Sequence, residues 1–155
     1  MNLKWFVAVT LLLVGVACTA RTVKTPVVHD SDDFATAVLT VNLLGLESDS
    51  GKVAVALYDS AGSFEDRSGA VATAWIEPHG GVVSWSVEDL APGVYAVAVY
   101  HDLNGNGELD RSALGPPDEP YGFSNDVRGT FGPPRFEKAA IGIGPGPLTI
   151  EITLR

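Results

Sequence analysis

The sequence predicts an all-β fold, a single seven-stranded antiparallel β-sandwich with one long ordered loop. Apolar residues recur with period two in seven short segments, and turn residues separate these segments. No stretch of ten or more residues shows the 3.6-residue period of a helix. Because a strand with one apolar face must bury it, seven such strands favour two packed sheets.

Turn-forming residues set the boundaries of the predicted strands. Residues 48–51 (SDSG) separate the first two strands, residues 78–81 (PHGG) are predicted to close a hairpin between the third and fourth, and residues 91–93 (APG) join the fourth to the fifth. One helical turn is expected over residues 63–67, with Ser63 as its cap. The predicted strands are residues 39–43, 53–57, 71–77, 82–88, 94–101, 136–143 and 148–154.

Several large side chains in these strands are candidates for the core or for a sheet face. Trp75 and Trp85 could stack on a sugar if they were exposed, but core packing is favoured for both. Tyr95, Val97 and Val99 alternate along one strand and are expected to share its buried face.

The first 17 residues are predicted to be a signal peptide. Lys4 precedes an apolar run over residues 5–17, which is shorter than the roughly 20 residues of a membrane span. The lone Cys18 follows in a sequence similar to a bacterial lipobox, with Gly15 in place of the usual Leu. Lipidation of Cys18, followed by Thr19, implies an outer-membrane lipoprotein that faces the periplasm. The alternative is cleavage after Ala20, which would give a soluble periplasmic protein.

The composition excludes some classes of function. Acidic residues outnumber basic ones 19 to 10, which argues against a nucleic-acid partner and fits a cation or neutral ligand better. A single Cys excludes an internal disulfide, and the three His without Cys partners exclude the usual structural zinc sites. Residues 18–35 are expected to form a flexible tether to the domain at 36–155, with membrane contact only through the lipid anchor.

The longest segment without periodicity covers residues 102–135. Its aromatic residues would be costly to leave in water and its five Pro restrict the backbone, so we expect an ordered loop over one end of the sandwich. We predict that the 102–136 loop is a recognition surface for an envelope protein or glycan, because rigid aromatics with one cation and one amide provide both area and orientation. The predicted ligand-binding residues are Tyr121, Phe123, Asn125, Arg128 and Phe131.

The start of this loop is similar to a calcium-binding loop. Oxygen-bearing side chains occupy positions 1, 3, 5 and 9, and Gly occupies position 6. Ala113 at position 12 and the lack of flanking helices exclude an EF-hand, although Asp118 or Glu119 could complete an open site. The alternative is plain turn chemistry, with Asp side chains capping backbone donors. The candidate calcium ligands are Asp102, Asn104, Asn106, Glu108 and Asp110.

An enzymatic role would depend on His101, Asp102, Ser124 and Arg128, which are of suitable types for acid–base or nucleophilic chemistry. Adjacent residues of a strand face opposite sides, so His101 and Asp102 are not expected to form a dyad. No hydrolase, zincin or phosphate-loop motif is present. We therefore assign no catalytic residue and expect a binding protein. The first alternative is a calcium-stabilised structural protein of the envelope, and the second, less favoured, is hydrolysis through His101.

One part of the sequence resembles a known bacterial family. Residues 92–107 (PGVYAVAVYHDLNGNG), together with YGFSN at 121–125 and FGPP at 131–134, resemble the exported bacterial proteins of domain of unknown function 2141. The resemblance spans about residues 37–154 and implies an exported protein without implying an activity. The PGVY element at 92–95 is also similar to transthyretin-like modules, which by analogy implies an immunoglobulin-like or transthyretin-like sandwich.

Overall fold

The structure, a computed structural model, describes residues 36–112, 117–130 and 132–155. The predicted signal peptide, Cys18 and the predicted tether lie outside the described residues. No helix in the described ranges has the length and apolar character of a membrane span. The elements are β1 (Ala37–Leu44), β2 (Lys52–Tyr58), α1 (Ala61–Asp66), β3 (Ala72–Ile76), β4 (Val83–Leu90), β5 (Gly93–Asp102), β6 (Tyr121–Phe123), a 3-10 turn (Ser124–Asp126), α2 (Phe136–Ala139), β7 (Ile141–Ile143) and β8 (Gly146–Thr153).

The strands form two sheets. The first has three strands in the order β4-β1-β8, and the second has the order β3-β2-β5-β6, with β7 also paired to β5. Strand β1 pairs antiparallel with β4, but it pairs parallel with β8 from Ala37 opposite Gly146 to Leu44 opposite Thr153. The chain is therefore mostly β, as predicted, but the prediction that all pairs are antiparallel is wrong.

The inner faces of both sheets contribute to one hydrophobic core. Period-two alternation buries Leu39 and Leu43 of β1, Leu57 of β2, Val97 of β5 and Ile152 of β8 in the same cluster. This burial confirms the predicted core positions of Tyr95, Val97 and Val99, and Trp85 packs partly buried against the same cluster.

The described part of the chain contains eight strands where the sequence predicted seven. The prediction of one strand over residues 136–143 is wrong, because Phe136 and Ala139 are buried at helical spacing in α2 and only Ile141–Ile143 is extended. Strand β6 lies within the predicted loop, and its three residues are too few to produce a recognisable alternation.

Two local predictions are also corrected. Residues 78–81 do not pair β3 with β4 in a hairpin, because these strands belong to different sheets. Gly80 and Gly81, both at positive φ, instead form a turn closed by a single antiparallel bridge between His79 and Val82. The cap of helix α1 is Ser60, three residues before the predicted cap Ser63, since the side chain of Ser60 accepts the backbone N–H of Ser63.

Candidate functional site

The outer face of the five-stranded sheet carries a floor of small side chains. Alternation that points Val53, Val55 and Leu57 of β2 into the core leaves Ala54 and Ala56 on the opposite face. Strand β5 repeats this pattern, with Ala98 outward between two buried valines. The register aligns these residues in two rows, Trp75-Ala54-Tyr100-Tyr121 and Thr73-Ala56-Ala98-Phe123.

Aromatic side chains rise on both sides of the alanine floor. Trp75 stands on β3 at one side, and Tyr121 and Phe123 stand on β6 at the other. Trp75 is 51% exposed and meets Tyr100 edge to face, with 5.9 Å between ring centroids. The prediction that Trp75 packs in the core is wrong, because the apolar face of β3 is carried by its Ala and Ile residues.

Side chains also border the two ends of the floor, so the face carries an open cavity of about 610 Å³. At one end Phe64 of α1 packs against Tyr58 and Phe123, with ring centroids 5.5 and 5.8 Å apart. The volume falls in the range of small-molecule pockets. Beyond the residues already named, the lining includes Arg67, Glu108, Leu109, Arg111, Pro117, Gly129, Thr130, Gly132 and Pro133.

Two tyrosines of the cavity stay protonated at neutral pH. Burial raises the pKa of Tyr58, and the charge of Arg67 opposes part of this rise. Burial also raises the pKa of Tyr100, and the carboxylates of Asp102, Glu119 and Glu108 raise it further. The hydroxyl of Tyr100 donates to the carbonyl oxygen of Gly107 at 3.1 Å, which ties the cavity to the loop after β5.

The structure separates the five predicted ligand-binding residues. Tyr121 and Phe123 line the cavity. The Arg128 guanidinium lies 5.0 Å from the ring centroid of Tyr121 and is not among the lining residues, so it supports that wall. Asn125, at positive φ, donates its side-chain amide to the carbonyl oxygens of residues 138 and 140, which fixes the turn after β6. Phe131 lies outside the described residues.

Ser124, a candidate nucleophile on residue type alone, has a structural role in the fold. Its side chain is fully buried; it accepts the backbone N–H of Val97 at 2.9 Å and donates to the carbonyl oxygen of Ala139 at 2.5 Å. This hydroxyl joins β5 to α2 by satisfying one donor and one acceptor of the backbone.

We expect Ser124→Ala to lower the free energy of unfolding by about 2 to 3 kcal/mol, because it leaves a buried N–H and a buried carbonyl unpaired. Ser84→Ala is the matched control, since Ser84 is exposed and bonds only the side chain of Asn42. Its loss should stay within about 0.5 kcal/mol. Chemical denaturation measures both, and equal losses would contradict the bridging role.

The loop after β5 is held by carboxylates that accept backbone hydrogen bonds. Asp102 is buried and accepts the N–H groups of Gly105 at 2.7 Å, Asn106 at 3.1 Å and Gly107 at 2.8 Å. The buried Glu119 accepts those of Leu103 at 2.8 Å and Asp110 at 3.1 Å. These bonds are those of the turn-chemistry alternative. No group of three or more His, Cys, Asp or Glu side chains within the described ranges is placed to hold a metal ion.

Calcium binding by Asp102, Asn104, Asn106, Glu108 and Asp110 remains a prediction. If the loop binds the ion, calcium in the millimolar range must raise the melting temperature above that in excess chelator. Asp110→Asn should abolish the shift, because this exposed carboxylate contacts only the side-chain amides of Asn104 and Asn106 among the loop residues. An unchanged melting temperature in the wild-type protein would rule out the prediction.

His101 does not reach the cavity. Its side chain is fully buried on the face of β5 opposite Asp102, and its Nε2 donates to the carbonyl oxygen of Ser50 at 2.7 Å. That bond places the proton on Nε2 and leaves Nδ1 without a hydrogen-bond partner among the described residues. His101 anchors the start of β2 against the end of β5, and no bond joins it to Asp102.

Sequence reasoning missed the floor of the cavity, although a signal for it was present. In VAVAL at 53–57 and AVAV at 96–99, branched apolar residues alternate with alanine. In a strand with one face in water, the outward positions between the buried residues are usually polar. Alanine on the outward positions marks a face that is apolar but not filled.

The fold and the site define a mostly β domain of two sheets with an aromatic-walled cavity on the outer face of one of them. The chain belongs to the family described as uncharacterised proteins conserved in bacteria, domain of unknown function 2141, which matches residues 41–151. The matched range includes all the strands that line the cavity. The comparison with curated proteins and the comparison with solved structures each found no match.

Proposed function

We propose that the protein is a binding module of the bacterial cell envelope and that its ligand occupies the cavity on the outer face of the five-stranded sheet. The sequence-based predictions of export, lipid attachment at Cys18 and an outer-membrane location are part of this proposal. So is the immunoglobulin-like or transthyretin-like topology.

The observation that carries the proposal is the alanine floor between aromatic walls. An unfilled apolar face with a half-exposed Trp75 is costly in water, and soluble domains rarely keep one unless it is used. The rings of Trp75, Tyr121 and Phe123 add specificity, since aromatic groups prefer defined edge-to-face or stacked contacts.

The cavity limits which part of a partner can enter. The predicted partner is an envelope protein or a glycan, and a space of about 610 Å³ accepts a small molecule or one side group of a larger partner rather than an extended segment. The segment predicted as the recognition surface contributes only one side and one end of this site, while β2, β3, β5 and α1 with its C-terminal cap supply the rest. The alternative of hydrolysis through His101 has no support from the cavity, because His101 is not among its lining residues.

The experiment is to incubate the purified protein with an extract of envelope small molecules, repurify it and identify the retained species by mass spectrometry. Ala56→Trp should abolish retention, because the indole fills the floor. Thr149→Trp is the matched control, since it places the same side chain on an exposed position of β8 in the other sheet. Retention by Ala56→Trp equal to that of the wild-type protein would overturn the proposal.

A further inference from the structure

Basic side chains outnumber acidic ones among the residues that line the cavity, whereas acidic residues outnumber basic ones in the chain as a whole. Of the 10 Lys and Arg residues and the 19 Asp and Glu residues, three of each kind precede residue 36, so seven basic and 16 acidic residues are described. Two of the seven, Arg67 and Arg111, line the cavity, but only Glu108 of the 16 does so. The carboxylates of Asp102, Glu119 and Glu108 act on Tyr100 at one end of the cavity, so the positive charge of the lining is concentrated at the end that carries Arg67.

Both arginines are available to a ligand. Each is exposed, and within the part of the chain that the structure describes neither guanidinium takes part in an ion pair. A guanidinium presents several N–H donors in a plane and matches a carboxylate, sulfonate or phosphate group with two parallel bonds.

The two ends of the cavity differ in their charges. Arg111 shares its end with Glu108, whereas none of the described carboxylate side chains lines the end formed by Tyr58, Phe64 and Arg67. The position of Arg67 is set by the end of α1, where it adopts φ 53° and its backbone N–H donates to the carbonyl oxygen of Ser63. The charge of Arg67 lowers the pKa of Tyr58 against the rise caused by burial, so the guanidinium lies close enough to act on the Tyr58 hydroxyl. This end of the cavity therefore presents a guanidinium and a neutral hydroxyl to a ligand.

The dimensions of the floor limit the size of the ligand. Strands β3 and β6 are separated by two strands, so their side chains stand about 14 Å apart along the sheet. The floor runs from Ala54 to Tyr58, four residues and about 14 Å along β2. When the thickness of the flanking side chains is subtracted from these distances, the remaining space on the alanines accepts one ring or two fused rings.

We propose that the cavity binds a small molecule with a planar, apolar ring system and one anionic group, the ring lying on Ala56 and Ala98 between Thr73 and Phe123 and the anion bound by Arg67. This inference rests on the proposed function, because it names the ligand class of the same cavity. It assigns Arg67 the role of selecting the charged group, and Arg111 at most the role of raising the local potential.

Two fluorescent probes with the same rings test this proposal on the full-length protein. Naphthalene-2-sulfonate carries an anion and 2-methylnaphthalene does not. The sulfonate should bind about tenfold more tightly, an advantage expected of a charge-assisted hydrogen bond at an exposed site and reduced by added salt. Ala56→Trp should lose both probes and Thr149→Trp neither. If Ala56→Trp still binds both, the cavity is not the binding site and the proposed function itself fails.

Substitutions of the arginines test the assignment of the anion. Arg67→Gln should bring the affinity for the sulfonate down to that for the neutral probe, without changing the neutral probe, and Arg67→Lys should keep most of the preference. Lys138→Gln removes one positive charge away from the lining residues and should leave the preference unchanged. Equal affinity for both probes in a protein whose cavity is confirmed by Ala56→Trp would overturn the anionic class. A larger loss in Arg111→Gln than in Arg67→Gln would overturn the assignment to Arg67.

Discussion

Asp102→Ala should lower the free energy of unfolding by about 3 kcal/mol or more. The buried carboxylate accepts three backbone N–H groups of the loop after β5, and hydrogen bonds to a charged acceptor contribute about 1.5 to 3 kcal/mol each. Partial exposure of the loop backbone lets water replace some of these bonds, so the expected loss is below their sum.

Urea denaturation measures the effect, and Asp110→Ala is its control. The side chain of Asp110 accepts only side-chain amides at the exposed surface of the same loop, so its removal should cost about 0.5 kcal/mol or less. A loss below about 1 kcal/mol in Asp102→Ala would show that water replaces all three hydrogen bonds.

A second large effect is expected for Gly51→Ala, which should cost about 3 to 5 kcal/mol. A Cβ at this position would lie 2.0 Å from the backbone carbonyl oxygen of Asp102, and φ is +73°, where only glycine is unstrained. The backbone of Asp102 cannot retreat easily, because its side chain fixes the loop and the neighbouring His101 bonds the carbonyl of Ser50.

Gly80→Ala separates the two causes of this loss. Its φ of +69° is nearly the same, but nothing lies within 4 Å of the added Cβ. It should therefore show only the strain of the left-handed backbone, about 1 kcal/mol. Thermal unfolding of both variants measures the difference, and similar losses would contradict the close approach of residues 51 and 102.

The parts of the fold that sequence analysis predicted correctly are those with sustained alternation. Strands β1, β2, β4, β5 and β8 each have seven residues or more, and all were located from their period of two. Strand β6 and helix α2 have three and four residues, so tertiary packing rather than local pattern determines them. The partners of strands are also non-local, which is why the change of sheet at residues 78–81 read as a hairpin.

The candidate site was predictable only in part, for a physical reason. Tyr121 and Phe123 were identified because large aromatic side chains in an irregular segment are costly to expose to water, which indicates that they pack or bind. The floor was missed because small side chains leave the space of a pocket, and a single alanine in a sequence does not indicate one. The alanines at positions 54, 56 and 98 form a floor only because the strand register places them on neighbouring strands of one face. Asn125, by contrast, has an amide side chain suited to a ligand contact, but it donates to backbone carbonyl oxygens at the end of α2, those of Lys138 and Ala140.

The parallel pairing of β1 with β8 has a consequence for how the chain reaches its native state. The central strand of the three-stranded sheet is the first one in sequence, and one of its neighbours is the last, with Ala37 opposite Gly146. During synthesis or secretion from the N-terminus, this sheet stays incomplete until almost the whole domain has emerged. Such long-range closure slows folding, so the chain remains unfolded longer than a row of local hairpins would. For the proposed exported protein, this delay favours passage through a translocation channel before the domain closes.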